Sequence, residues 1–161
     1  MAATEGNKGF VKRLYNSEKA IGTKLKSNEF KFTIAGYEGL TAMFRTAQWP
    51  KTQREVIDEK GHGGVGIPEY GMLQNSGEIV VTAVENVRGD LLSALRGIIE
   101  RAEKVNCTME AAPESTEGES PEALVRNLED CLLTSDAFDG STDDTAALVK
   151  PSITITYGWA E

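Results

Sequence analysis

The sequence predicts a mainly β protein, an antiparallel β-sandwich or open barrel with one flanking α-helix and a long extended loop between two strands. Three observations carry that prediction. Over 149–160, Ile153, Ile155, Tyr157 and Trp159 alternate with Ser152, Thr154 and Thr156, the period of a half-buried strand. One helical stripe, Leu91, Leu95, Ile98 and Ala102, lies among strand-like runs, with Arg96, Glu100, Arg101 and Glu103 on its polar side. Between two of those runs, 49–72 is charged and glycine-rich, with little apolar surface to bury against its own domain.

The rest of the chain fits this frame. Of 161 residues, 40% are hydrophobic and 26% charged, the balance of a globular domain with one core. No apolar run approaches the ~20 residues of a membrane span. The start, Met1 to Lys8, lacks the apolar core of a signal peptide, so the chain is expected to stay in the compartment where it is made. Segment 1–27 reads as an N-terminal appendage, opening with a short flexible lead. In it Phe10, Val11, Leu14, Ala20 and Ile21 give weak helical spacing broken by Gly22, so 10–25 reads either as a short helix or as irregular chain. A β domain is expected over 28–161.

Within that domain, Phe30, Phe32 and Ile34 alternate with Lys31 and Thr33, and Leu40, Ala42 and Phe44 alternate with Thr41, Met43 and Arg45. A tight connection at 36–39 joins the two runs, so they are expected to form a β-hairpin. Residues 77–85 are β-branched and apolar, a third strand. Asp90 is the expected N-cap of a helix running to Lys104. The runs 105–111 and 123–133 read as strands paired across an acidic loop, 113–121, which carries Glu114, Glu117 and Glu119. The second of them also has helical spacing at Leu124, Leu128 and Leu132, but the sheet needs a partner strand there. A polar loop from Asp136, one helical turn at 145–148 and the closing strand complete five or six strands.

Candidate chemistry is sparse. Gly61, Gly63 and Gly66 match a dinucleotide-binding glycine spacing. The charged run before them and Pro68 after them exclude the strand and helix which that site requires. His62, the only histidine, sits in the same tip with no neighbour to orient it as a base, and reads as an exposed or interface residue. The carboxylates at 136, 139, 143 and 144 miss the spacing of a calcium loop. Cys107 and Cys131 lack metal-ligand spacing and read as reduced, half-buried thiols rather than a bridge. Trp49, Tyr157 and Trp159 could stack a ligand, but aromatics at strand ends more commonly pack in cores or interfaces. No catalytic residue, metal or cofactor is expected.

Charge is uneven. Residues 1–60 carry 11 Lys and Arg against 7 Asp and Glu, and residues 61–161 carry 6 against 18. A basic nucleic-acid footprint would need the opposite balance on one face.

The order of features resembles the tail tube proteins of contractile-tailed bacteriophages. The resemblance is carried by the run Phe30 to Gly36, by Leu40 to Trp49-Pro50, and by the arm from Arg54 to Gly66. The strand from Gly77 to Glu85, the helix from Asp90 and the closing strand Ile153 to Trp159 complete it. It covers 28–161. It implies hexameric rings stacked into a hollow tube within a virion tail assembled in the host cytoplasm. It also implies contacts with sheath, baseplate and terminator proteins, and passage of DNA through the lumen without specific binding or membrane insertion. A baseplate or terminator ring, or a secretion-system tube, would share this layout, and a small ligand-binding β-domain is the remaining alternative. The arm at 49–72 would reach a neighbouring subunit, which makes Trp49, Val56, Ile57, Gly61, His62, Gly64, Val65, Gly66, Ile67, Pro68 and Tyr70 interface candidates. The glycines at 61, 63, 64 and 66 would allow the arm to bend. Thr33, Thr41, Glu78, Thr82 and Thr154 lie on polar faces of the strands and are lumen candidates. An acidic lumen would repel phosphate, in line with the net charge of −8.

Overall fold

The computed structural model describes residues 6–143 and 145–161. Residues 1–5, the start of the expected flexible lead, and Asp144 of the rejected calcium loop lie outside the described residues. The elements in chain order are α1 (Lys8–Ala20), β1 (Phe30–Ile34), β2 (Phe44–Ala47), β3 (Gln53–Lys60), β4 (Gly66–Gln74) and β5 (Gly77–Ala83). They continue with α2 (Asp90–Glu100), β6 (Val105–Ala111), β7 (Val125–Ser135), β8 (Ser152–Tyr157) and β9 (Trp159–Ala160). The fold is mainly β and antiparallel, as the sequence predicts.

One seven-stranded sheet runs in the order β1-β6-β7-β8-β5-β2, with β9 also on β7, and it curls until it nearly closes into a barrel. β7 makes the curl. Its first half pairs with β6 and β9, and its second half pairs with β8. Between the halves the register to β6 slips, from Cys107 opposite Leu128 to Val105 opposite Cys131. Asp130 supplies the extra residue, with φ at +54°, a bulge that bends the strand and increases its twist. At the open seam β1 and β2 are not hydrogen-bonded to each other, but Phe32 and Phe44 meet edge-to-face at 4.9 Å.

Alternation builds the core directly. Phe32 and Ile34, Ile79 and Val81, Cys107 and Met109, Leu128 and Leu133, and Ile153 and Ile155 all point inward and are buried. Gly77 sits opposite Tyr157 in the β5–β8 register. A Cβ there would lie 3.0 Å from the Tyr157 hydroxyl oxygen, so a side chain at this position would crowd the buried ring. α2 lies against β7 through Leu91, Leu95 and Ile98.

Several expectations are corrected. The runs at 28–36 and 40–49 do not form a hairpin, because β1 pairs with β6 and β2 with β5. The chain between them, Glu38–Met43, is a 3₁₀ helix that buries Leu40, and spacing of three turns Leu40 and Met43 to one side. The helix cap is Gly89, not Asp90. The Glu85 carboxylate accepts from the backbone N–H of Leu91 (3.2 Å) and Leu92 (2.6 Å), satisfying donors that a cap residue would otherwise take. α2 ends at Glu100 rather than Lys104, and Ala102 turns out to solvent with φ at +53°. Residues 145–148 make no helical turn. The closing strand breaks at Gly158 into β8 and β9. Nine strands, rather than five or six, are present among the described residues. Of segment 10–25, which reads either as a short helix or as irregular chain, the part up to Ala20 is helical, and α1 begins two residues earlier at Lys8, inside the expected flexible lead. The Asn7 side chain caps it, accepting from Phe10 N–H at 3.0 Å.

Candidate assembly surfaces

The arm expected as an extended loop is a β-hairpin. β3 and β4 form their own two-stranded sheet, with Val56 opposite Tyr70, Ile57 opposite Glu69, Asp58 opposite Pro68, Glu59 opposite Ile67 and Lys60 opposite Gly66. Cross-strand partners share a face. One face therefore carries Val56, Pro68 and Tyr70, and the other carries Ile57 and Ile67. Neither face is covered: Tyr70 is 80% exposed and Ile67 69%. At the tip Gly63 and Gly64 take φ of +71° and +77°, a conformation that favours glycine. Gly61 and Gly66 have no positive φ, so only two of the four glycines named for bending are required by backbone conformation. Gly61 N–H closes the tip on the Val65 carbonyl at 2.7 Å.

The hairpin is rooted in the barrel. Arg126 of β7 donates to the Thr52 hydroxyl at 3.1 Å, and the Asn75 amide donates to the Ala160 carbonyl at 2.5 Å. Gln53 and Gln74 bond across its base. The root holds the hairpin to the barrel, and beyond it Val56, Ile57, Val65, Ile67 and Tyr70 are all exposed.

His62 lies at the tip beside Ile57, Glu59, Val65, Ile67 and Glu69, around a shallow depression of about 470 Å³. Trp49 is not part of the hairpin. It flanks the β1–β2 seam, where a cleft of about 360 Å³ is lined by Phe30, Arg45, Thr46, Ala47 and Met109. Tyr157 is buried and Trp159 exposed on β9, so Trp49, Tyr157 and Trp159 form no shared platform.

The lumen candidates separate into two groups. Glu78 and Thr82 of β5 and Thr154 of β8 share the outer face of the layer β2-β5-β8-β7, together with Thr46, Val80, Leu132, Thr134 and Thr156. Thr46 and Thr82 bond across that face. Thr33 and Thr41 lie elsewhere, half-buried on β1 and the 3₁₀ helix with their hydroxyl oxygens 3.5 Å apart. Two carboxylates stand on this four-stranded face: Glu78, and Asp136, which accepts from the Thr154 hydroxyl. Most of the acidic excess lies in the loops after β6 and β7, so this face is a hydroxyl-rich wall with a modest negative charge.

Cys107 and Cys131 are fully buried and free, rather than half-buried. A hydrogen bond with Cys131 and burial both push the Cys107 thiol well above its ordinary value, so it holds its proton. Among the described residues no group of three His, Cys, Asp or Glu stands close enough to hold a metal. The Asp136 carboxylate instead accepts from the Thr154 hydroxyl at 3.3 Å. Among the described residues no helix is long and apolar enough to cross a membrane.

The sequence would have revealed the hairpin through Val56-Ile57 and Ile67 to Met72, two β-capable runs flanking a glycine tip. The charge of Arg54, Glu55, Asp58, Glu59 and Lys60 hid it.

No protein-family model and no curated protein matches the chain. Solved structures share its fold. A chain of the PVC sheath–tube complex, an extracellular contractile injection system in its extended state, is 18% identical with a TM-score of 0.62, over 90% of this chain and 95% of that one. A chain of the PVC sheath/tube terminator is 16% identical with a TM-score of 0.66, over 88% and 97%. A chain of the anti-feeding prophage baseplate is 12% identical with a TM-score of 0.67, over 87% and 95%.

Proposed function

We propose that this chain is a structural, non-catalytic subunit of a contractile-tail-type particle that assembles with copies of itself into rings. The observation that carries the proposal is the hairpin. Its apolar side chains are exposed on both faces, it is rooted in a barrel that is otherwise well buried, and two-stranded hairpins are marginal alone in water. A neighbouring subunit that covers it would remove apolar surface at roughly 25 cal/mol per Å² and occupy its open strand edges. The fold shared with tube, terminator and baseplate chains of contractile injection systems supports the same reading.

Within that class the tube subunit is our first reading. Hexameric rings stack, the hairpin bridges subunits, and the threonine-rich β2-β5-β8-β7 face lines a lumen that lets DNA slide past. In a phage such a tube would belong to the virion tail, inside the sheath, and would be assembled in the host cytoplasm. The second reading, a terminator or baseplate ring, draws on the similarity to terminator and baseplate chains, with TM-scores of 0.66 and 0.67 against 0.62 for the sheath–tube complex. Negative-stain imaging of the purified protein at high concentration separates the two. Long stacks support the tube, and single rings support the terminator or baseplate. A monodisperse monomer contradicts both. A ligand-binding domain built around His62 would show an affinity or activity that His62→Ala removes.

A further inference from the structure

The hairpin accounts for one uncovered apolar surface, and α1 is another. It is 13 residues long and buries none of its side chains, and an isolated helix of that length is marginal in water. Phe10, Val11, Leu14 and Tyr15 form a single exposed stripe along it. Cations border the stripe on both sides. Lys12 Nζ stands 4.7 Å from the centre of the Tyr15 ring, and the Arg13 guanidinium 6.0 Å from that of Phe10. Lys8 and Lys19 extend the Lys12 border.

The same chain carries an apolar groove beside an acidic loop. Leu92, Leu95 and Ile99 of α2 line a groove of about 350 Å³ with Phe138 from the loop after β7. Phe138 continues it into a second depression of about 380 Å³ beside Leu148 and Val149. Ile99, Phe138, Leu148 and Val149 are exposed. Arg96 and Lys150 stand at its rim. Between Arg126 and Lys150 the chain has no Lys or Arg and 6 carboxylates, of which Asp136, Asp139 and Asp143 are exposed on the loop that carries Phe138.

A basic, apolar-striped helix and an apolar groove flanked by an acidic loop, on different surfaces of one chain, make a heterologous contact, which passes from copy to copy and closes a ring or extends a stack. We propose that α1 of one copy docks its Phe10–Tyr15 stripe into the α2–Phe138 groove of a neighbouring copy, with Lys8, Lys12 and Lys19 facing the carboxylates of the 136–143 loop. The second copy is the occupant because α1 buries nothing on its own chain, while the surface complementary to it is carried by every copy. The proposal rests on the reading of this chain as a self-assembling subunit.

Paired cysteines test it. One population carries Leu14→Cys and another Phe138→Cys, and the native Cys107 and Cys131 are buried and out of reach. Under mild oxidation the mixed populations are expected to give a crosslinked heterodimer, and a chain with both changes a ladder of oligomers. Salt at ~1 M should reduce the yield several-fold, since screening weakens the charged border. Adding Ile99→Glu, at an exposed position, should abolish crosslinking without moving thermal unfolding. A double variant that only closes on itself, with no crosslink between mixed populations, overturns the proposal in favour of a helix folded back on its own chain. Absence of any crosslink together with binding of the full chain to anionic phospholipid vesicles overturns it in favour of a membrane surface. Rings or stacks that form normally without a crosslink sink this docking and leave the assembly reading standing, whereas absence of any assembly sinks both.

Discussion

The closing strand β8 and the hairpin β3–β4 carry similar residue types and have opposite fates. In β8, Ile153 and Ile155 are wholly buried, and each is opposed by a buried residue of β5. In the hairpin, Val56 faces Tyr70 and Ile67 faces Glu59 in good register, yet every one of these residues is exposed. Strand pairing is satisfied in both regions, but burial is achieved in only one. Burial, not backbone pairing, is the larger stabilising term. The barrel is therefore a folding unit, and the hairpin leaves apolar surface uncovered, which the proposed assembly would cover with a neighbouring copy.

Substitution of matched residues should expose the difference most sharply. Ile155→Ala in the core should destabilise the monomer by about 2–5 kcal/mol through lost burial and an unfilled cavity. Ile67→Ala in the hairpin should stay within about 0.5 kcal/mol, as an exposed change does. Chemical denaturation of both variants checks this, and equal losses would mean that the hairpin is part of the folding core. Next in size is an effect on assembly alone. Tyr70→Ser combined with Ile67→Ser should leave thermal unfolding unmoved while shifting the concentration needed for ring or stack formation upward by tenfold or more, as read by sedimentation velocity.

Smaller effects sharpen the boundary between barrel and appendage. Glu85→Gln keeps the shape but removes the charge that accepts the two N–H groups at the start of α2. It should cost about 1 kcal/mol and lower the melting temperature by about 2–4 °C, with no effect on assembly. The smallest effect concerns pH. The Glu29 carboxylate accepts from the backbone N–H of Lys26 at 2.9 Å, and that bond, reinforced by the one from Glu114, holds its pKa below the ordinary 4.5. A folded-state pKa below the unfolded one gives stability that is present above about 4.5 and fades as pH falls through the folded value. Glu29→Gln should therefore be slightly less stable than the parent at pH 7, with the gap closing in acid. A gap that widens in acid would contradict the assignment.

Local pattern revealed what local pattern governs. β6 was read to the residue, because Val105, Cys107, Met109 and Ala111 alternate and all face the core. β7 reads as a strand despite the helical spacing of Leu124, Leu128 and Leu132; only Leu128 of the three is buried, and the extra residue at Asp130 puts it with Cys131 and Leu133 on one buried face. Partner choice was not legible. The alternation at Leu40, Ala42 and Phe44 suits a strand, but the first four residues of that run turn as a 3₁₀ helix and send β2 to β5 across the barrel. The apolar residues of the arm that the sequence offers as interface candidates are exposed in the structure, because their charged neighbours leave no wholly apolar face. Their pairing into a hairpin was missed for the same reason. Trp49 was grouped with the arm by sequence distance alone, and the seam beside β1 claims it.

Analytical ultracentrifugation of the full chain beside a chain lacking Lys60–Gly66 tests the central claim most directly. The full chain should sediment as rings or longer stacks at high concentration. The shortened chain should melt like the parent and form no stacks. Normal stacks from the shortened chain, or a full-length protein that remains a single monomer at high concentration, would contradict the account.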